Sequence, residues 1–335
     1  MAIPVNLKLP TVLVIGCGGT ISSLAANPLD VMDYPEHGTK MSAEEVLCHF
    51  PETAQIANCI AQPFLQAGSS SFGMREWLEL RELISRHAQR EDISGIVVLH
   101  GTATMEETAY FLSLTLNISM PVVLVGSQRP ANTTGSDAGA NLVGAIRVAT
   151  SQQARNAGVM VVMNDDIHCA RDVVKASNYR VHAFTSPEYG PIGHVEGDGV
   201  LIRRRMAPEA SAFCDWQPPT SLPRVDVLYS CAGNDGLLVE AACKAGAAGI
   251  VSIGLAPGLP SPLERAALER AIGNGVHVVQ ASRAYSGHVP LRAYLRDAGF
   301  IPAGDLSPQK SRILLTLALS LSTDVARLRQ LFAIH

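Results

Sequence analysis

Thr20 closes a run of glycines, Gly16-Cys17-Gly18-Gly19, and is followed by Ile21-Ser22-Ser23. Glycines let a backbone come close to a ligand and expose amide donors, and a threonine directly after them faces the same space. Its hydroxyl attacks a carbonyl once a base removes the proton. Two other readings fit the same residues. One is a tight turn with no chemistry. The other is a dinucleotide-binding glycine fingerprint, and it fits badly. Its third glycine position holds Ile21, and no clear second strand ends in an acid about twenty residues on.

A second cluster reads His100-Gly101-Thr102-Ala103-Thr104-Met105-Glu106-Glu107-Thr108. Thr104 and Glu107 have the spacing of a capping box for a helix beginning at Met105. Thr102 precedes that cap. There its hydroxyl and the neighbouring amides meet a substrate at a helix N-terminus, or serve only as an additional cap.

The elements that position these residues follow from hydrophobic patterning. Residues 11–15 (TVLVI), 96–100 (IVVLH), 122–126 (VVLVG) and 159–164 (VMVVMN) are short, β-branched runs bounded by glycine or polar residues. They predict fully buried parallel strands. Amphipathic stretches at 74–90, 105–116 and 137–150 predict helices between them. Strand and helix in alternation indicate an α/β fold with a doubly wound sheet. Residues 205–224 carry Pro208, Pro218, Pro219 and Pro223 with little periodicity, which predicts an interdomain linker. The pattern then restarts with strands at 225–229, 250–253 and 276–280, and helices at 237–244 and from Pro262. Ser307-Pro308 and Asp324 are start signals for closing helices. The expectation is a larger N-terminal parallel-sheet domain over 1–204 and a smaller C-terminal α/β domain over 225–335, both doubly wound. Sites in such sheets form beyond the carboxyl ends of the strands, which selects the loops 16–23, 101–107 and 126–137.

Composition narrows the function classes. A chain of 335 residues with 47% hydrophobic and 17% charged residues is of ordinary globular type. The net charge of -4, with no Lys/Arg run, gives no field for a nucleic-acid backbone and predicts no nucleic-acid partner. No apolar run has spanning length, and Met1–Asn6 has no charged n-region before an apolar stretch, so neither a membrane span nor a secretion signal is predicted. Seven cysteines without a C-x-x-C pair read as reduced thiols of a cytoplasmic protein. His168-Cys169, His182 and His194 lack ligand spacing, so no metal is expected.

Five segments in order along the chain carry a resemblance: GGTI after the first strand, HGTATMEETAYFL at 100–112, PVVLVGSQRP at 121–130, VVMNDDIHCARDVVK at 161–175 and LSPQKSRILLTLAL at 306–319. Together they resemble the bacterial-type L-asparaginase/glutaminase family. The resemblance implies hydrolysis of a side-chain amide through a threonyl acyl-enzyme, without cofactor, in a homotetramer built as a dimer of dimers. It implies Thr20 as nucleophile, Thr102 as second threonine, Lys175 as its lysine and Tyr34 as the loop tyrosine. In Tyr34-Pro-Glu-His-Gly38 the tyrosine stands one residue further from its glycine than in the family pattern. Read alone, Lys175 is a surface lysine after Arg171-Asp172. Gly19, Gly68, Ser69, Ser70, Gly101 and Ala103 fall at substrate-contacting positions.

The sequence also departs from that pattern. The family's second motif reads H-G-T-D-T, and here its fourth residue is Ala103. Where the family has Gln and Asp after its G-S, this chain has Ser70 and Ser71. The stretch 285–297 lacks the glutamate that a neighbouring subunit supplies in many members, and Arg292 and Arg296 stand near the place. Each change removes a group that would face a positively charged α-amino group, and burying an ammonium without a counter-charge is costly. The expected substrate is therefore a small amide, either L-asparagine held through rearranged contacts such as Asp33 or Glu36, or a relative whose α-nitrogen is absent or uncharged. A non-catalytic small-molecule sensor on the same fold is the alternative, supported by Ala103.

Overall fold

The computed structural model describes residues 9–205 and 212–335, in two compact units, Met1–Glu209 and Ala210–His335. The first unit contains strands β1 (Thr11–Gly18), β2 (Ser23–Leu24), β3 (Thr39–Lys40), β4 (Asn58–Ala67), β5 (Gly95–Leu99), β6 (Val122–Val125) and β7 (Val159–Met163). Then come β8 (Asp166–Cys169), β9 (Val174–Lys175), β10 (Phe184–Thr185), β11 (Gly193–Glu196) and β12 (Gly199–Ile202). Its helices are α1 (Tyr34–His37), α2 (Ala43–His49), α3 (Met74–His87), α4 (Met105–Thr115) and α5 (Ala138–Thr150).

The four β-branched runs form β1, β5, β6 and β7, and every residue of β5, β6 and β7 is buried. The main sheet has the order β12-β11-β8-β7-β6-β5-β1-β4. Its central strands pair in parallel, as expected, while β8, β11 and β12 extend it as antiparallel strands, so the sheet is mixed. Val12, Val14, Val97, Leu99, Val123, Val125, Met160 and Val162 share one face of the sheet and bury against α2 and α5. A second pair of helices, α3 and α4, meet through Trp77 and Phe111, whose rings stack at 5.5 Å.

Strand order places the site. From β1 the chain moves outward to β4 and then returns past β1 to β5, from which it continues to β6 and β7. The connections leaving β1 and β5 therefore run in opposite directions. Adjacent strands with that property open a crevice at their carboxyl ends, and Thr20 and Thr102 stand just beyond those two strands.

The second unit has the parallel sheet β13 (Val225–Tyr229), β14 (Gly249–Gly254), β15 (His277–Ser282) and β16 (Ile301–Pro302), in sequence order. Its helices are α6 (Leu237–Lys244), α7 (Pro262–Gly273), α8 (Ala293–Asp297), α9 (Pro308–Leu319) and α10 (Val325–Ile334). The start signals work as expected: Ser307 accepts from the Lys310 amide, and Asp324 accepts from the Ala326 and Arg327 amides. Part of the expected linker, residues 206–211, and the N-terminal Met1–Asn6 lie outside the described residues. Further along that linker, Phe213 and Trp216 are buried in the second unit, where the Trp216 indole donates to Ser320 Oγ at 2.8 Å. Among the described residues no helix is long and apolar enough to cross a membrane.

Candidate active site

Thr20 begins a single 3₁₀ turn (Thr20–Ser22) whose next residue, Ile21, is fully buried in the core. That anchorage leaves the half-buried Thr20 side chain at the crevice. Gly19 takes φ +83°, in the left-handed region, and a Cβ there would overlap the Gly101 backbone. A Cβ on Gly101 would in turn fall 2.8 Å from Ser69 Oγ. Absent side chains thus bring the ends of β4, β1 and β5 into contact, with Gly101 lying between Gly19 and Ser69. A Gly19→Ala substitution adds backbone strain of about 1–3 kcal/mol and wedges the two threonine loops apart. The expected result is a loss of about 10²-fold in kcat/KM, read by ammonia release.

Thr20 Oγ1 lies 2.6 Å from the Tyr34 hydroxyl. Tyr34 rides on the segment between β2 and β3, whose two-residue antiparallel ladder closes its base. Asn132 clasps this segment, accepting from the Ala25 amide at 2.8 Å and donating to the Ala25 carbonyl at 2.7 Å. The Thr134 amide donates to the Pro28 carbonyl at 2.9 Å. The third predicted loop, 126–137, therefore serves as the anchor of the tyrosine segment. It is itself held by buried Asp137, which accepts from the Gln128 and Arg129 amides. Burial is the main influence on the Tyr34 phenol and raises its pKa, with Asp30 and Tyr179 adding to the rise and the Thr20 contact opposing it. The phenol is neutral at neutral pH and acts as a hydroxyl, not as a phenolate base.

Lys175 Nζ donates to Thr102 Oγ1 at 2.7 Å. The lysine is half-buried on β9, paired with buried Phe184 of β10, so its reading as a free surface lysine does not hold. Its amide donates to Glu106 Oε2 at 2.8 Å, which ties the hairpin to the first turn of α4. Burial lowers the Lys175 pKa, and the negative charge of Glu106 partly offsets that. An amine so placed is closer to neutrality at working pH than an ordinary lysine.

Thr104 departs from the sequence expectation. It occupies the N-cap position of α4 without a side-chain cap, its hydroxyl turned instead to the Ser69 carbonyl, to which it donates at 2.9 Å. The capping-box reading is corrected accordingly: this threonine ties the loop after β4 to the loop after β5. Gly68 is half-buried, while Ser70, Ser71 and Ala103 are exposed at the same end of the sheet. Asp33 and Glu36 are exposed on the tyrosine segment. Sequence reasoning did not single out Glu106, Asn132, or the aromatic and hydroxyl partners of His100. Among the described residues no group of three His, Cys, Asp or Glu is arranged to hold a metal ion. His194 pairs instead with Asp166 at 3.0 Å, and His168 with Ser186 at 3.0 Å.

The arrangement supplies two hydroxyls at one crevice, one against a neutral phenol and one against a depressed amine. That is equipment for moving protons during acyl transfer. Residues 11–208 match the family description "Asparaginase, N-terminal", and residues 224–332 match "Glutaminase/Asparaginase C-terminal domain". The chain is 36% identical over 331 residues to a glutaminase-asparaginase of Pseudomonas fluorescens biotype A, covering 97% of this chain and 90% of that one. It is 35% identical over 330 residues to a probable periplasmic L-asparaginase of Haemophilus influenzae, covering 97% and 93%. A crystal structure of a probable cytoplasmic L-asparaginase from Campylobacter jejuni superimposes with a TM-score of 0.91 at 33% identity, covering 97% of this chain and 99% of that one.

Proposed function

This chain belongs to the glutaminase/asparaginase family of amide hydrolases, and from that premise we propose that it cleaves a small carboxamide to a carboxylate and ammonia with Thr20 as the attacking group. The observation that carries this reading is the pairing of both crevice hydroxyls, Thr20 with Tyr34 and Thr102 with Lys175, at hydrogen-bond distance.

In the first step Thr20 Oγ1 bonds to the amide carbon. Its proton passes to the Tyr34 oxygen as the phenol gives its own proton to the leaving nitrogen, so no phenolate forms. In the second step neutral Lys175 takes the Thr102 proton while Thr102 takes one from water. The hydroxide formed adds to the acyl carbon and the ester bond to Thr20 breaks. Thr20 takes the proton of the new carboxyl group through Tyr34, the product leaves as a carboxylate, and Lys175 returns its extra proton to solvent. Thr102 is the second candidate nucleophile, favoured by its direct contact with an amine base. The Gly19 amide is committed to the Ala67 carbonyl at 3.1 Å, so the loop amides of Gly101 and Thr102 are the donors for the developing oxyanion, each worth about 3 kcal/mol in hydrolases studied that way.

Substrate chemistry follows from the groups beside the hydroxyls. Ser69, Ser70 and Ser71 offer hydroxyls suited to a carboxylate, and Ala103 offers a methyl group. The Glu106 carboxylate is engaged by the Lys175 amide and charge. We therefore assign a substrate with a carboxylate and a carboxamide whose α-nitrogen is missing or acylated. We further propose a cytoplasmic homotetramer, a dimer of dimers, in keeping with the resemblance to the family and with cysteines that form no disulfide among the described residues. The test is ammonia release from L-asparagine, L-glutamine, succinamic acid and N-acetyl-asparagine. A higher kcat/KM for one of the last two is expected, and a clear preference for L-asparagine would overturn the substrate assignment.

A further inference from the structure

Between the catalytic loop and the core runs a hydrogen-bonded chain that none of the steps above uses. The Trp77 indole donates to Thr108 Oγ1 at 2.8 Å, Thr108 Oγ1 lies 3.0 Å from His100 Nε2, and His100 Nδ1 lies 2.8 Å from the Gly101 carbonyl oxygen. His100 is fully buried, with the Phe72 ring 4.5 Å from its own.

The proton positions in this chain follow from what each group is able to do. An indole N–H only donates and a carbonyl only accepts. The Gly101 carbonyl can only accept, so the imidazole proton sits on Nδ1 and is donated to it. In the neutral ring Nε2 is then bare and accepts the Thr108 proton, while the Thr108 oxygen accepts from Trp77. The opposite tautomer would set a ring lone pair against that carbonyl and leave the threonine proton without an acceptor. Burial also drives the His100 pKa down to about 4, so the ring stays neutral across the working range.

We propose that His100 is a positioning residue for amide hydrolysis: as a neutral imidazole protonated on Nδ1, it fixes the plane of the Gly101–Thr102 peptide and so the placement of Thr102 against Lys175. The inference rests on the reading of Thr102 and Lys175 as participants in the reaction. The peptide is trans, so a Gly101 carbonyl turned toward the imidazole sends the Thr102 N–H the opposite way, away from the ring. Gly101 has no side chain to restrict its own backbone, and the region between Gly19 and Ser69 has no room for one. Rigidity that a larger residue would give locally is supplied through the histidine. Trp77 on α3 and Thr108 on α4 make the brace depend on two helices, not on the loop itself.

The experiment compares kcat and KM for His100→Leu, His100→Asn and Thr108→Val, and records the ¹⁵N imidazole spectrum of the unmodified enzyme. Asparagine places its amide nitrogen near the Nδ1 position and restores the donor, while leucine does not. The expected result for His100→Leu is a fall of about 10²-fold in kcat with little change in KM, most of it regained in His100→Asn. Thr108→Val should lower kcat less, and the spectrum should show a neutral ring protonated on Nδ1. A kcat unchanged in His100→Leu, a His100→Asn no better than His100→Leu, or a ring protonated on Nε2 would overturn the inference. If a variant fails to fold, a ring protonated on Nε2 in the unmodified enzyme still overturns the inference, and Thr108→Val supplies the kinetic comparison. Hydrolysis that survives Thr20→Ala, by contrast, defeats the nucleophile assignment and leaves the tautomer measurement standing.

Discussion

Thr20→Ala loses amide hydrolysis, with kcat on the preferred amide falling by about 10⁵-fold or more, the scale seen when a hydrolase loses its nucleophile. The alanine removes one hydroxyl from a half-buried position whose backbone is set by Gly19 and by buried Ile21, so the turn itself persists. The Tyr34 phenol loses its 2.6 Å partner but keeps the Asn132 clasp that carries its segment. Ammonia release checks the prediction, with circular dichroism to establish that the variant is folded. Turnover within tenfold of the parent enzyme would remove Thr20 from the chemistry. A folded parent enzyme that binds amides and releases no ammonia would favour a sensor.

The second large effect falls on Lys175. Replacing it by methionine keeps the length and apolar stem of the side chain and deletes the amine that contacts Thr102 at 2.7 Å. Loss of a positioned proton acceptor costs about 10³-fold, and on the proposed route the loss is greatest in the second step. Lys175→Met therefore releases about one equivalent of ammonia rapidly and then turns over slowly, the burst that marks an accumulating acyl-enzyme. In the parent enzyme the competent form is the free amine, so kcat rises as Lys175 loses its proton. Burial lowers its pKa from the usual 10.5, which puts the midpoint of that rise below 10.5. Glu106 opposes this by favouring the charged ammonium. Glu106→Gln consequently moves the rising limb to lower pH, and a shift to higher pH would contradict the assignment of Lys175 as base.

Much of this site was legible because its determinants are local. Glycines before Thr20 and a β-branched run before His100 place both loops at strand ends, and strand ends are where α/β sheets hold ligands. What stayed hidden depends on the sheet and on distant partners. Strand β4 sits at the sheet edge with only partial burial and carries Pro63, so its residues lack the continuous apolar run that marks a central strand. The antiparallel strands β8, β11 and β12 have four residues each, too short for a periodic signal. Lys175 reaches Thr102 through the two-residue pairing of β9 with β10, which leaves no trace in spacing, and only the family resemblance pointed to it. Thr104 was misread because local pattern cannot reveal that the Ser69 carbonyl, 35 residues earlier, takes its hydroxyl. His100 was visible as a residue, but its role depends on Trp77 and Thr108 arriving from two different helices.

Two threonines share the crevice, and loss of activity on mutating either does not by itself assign the attack. The measurement that does is peptide mapping of Lys175→Met quenched in acid during turnover, when the acyl-enzyme accumulates. The expected result is an added mass equal to the substrate's acyl group on the peptide containing Thr20, with the peptide containing Thr102 unmodified. An adduct on Thr102, or continued ammonia release with no adduct on either peptide, would contradict Thr20 as the nucleophile.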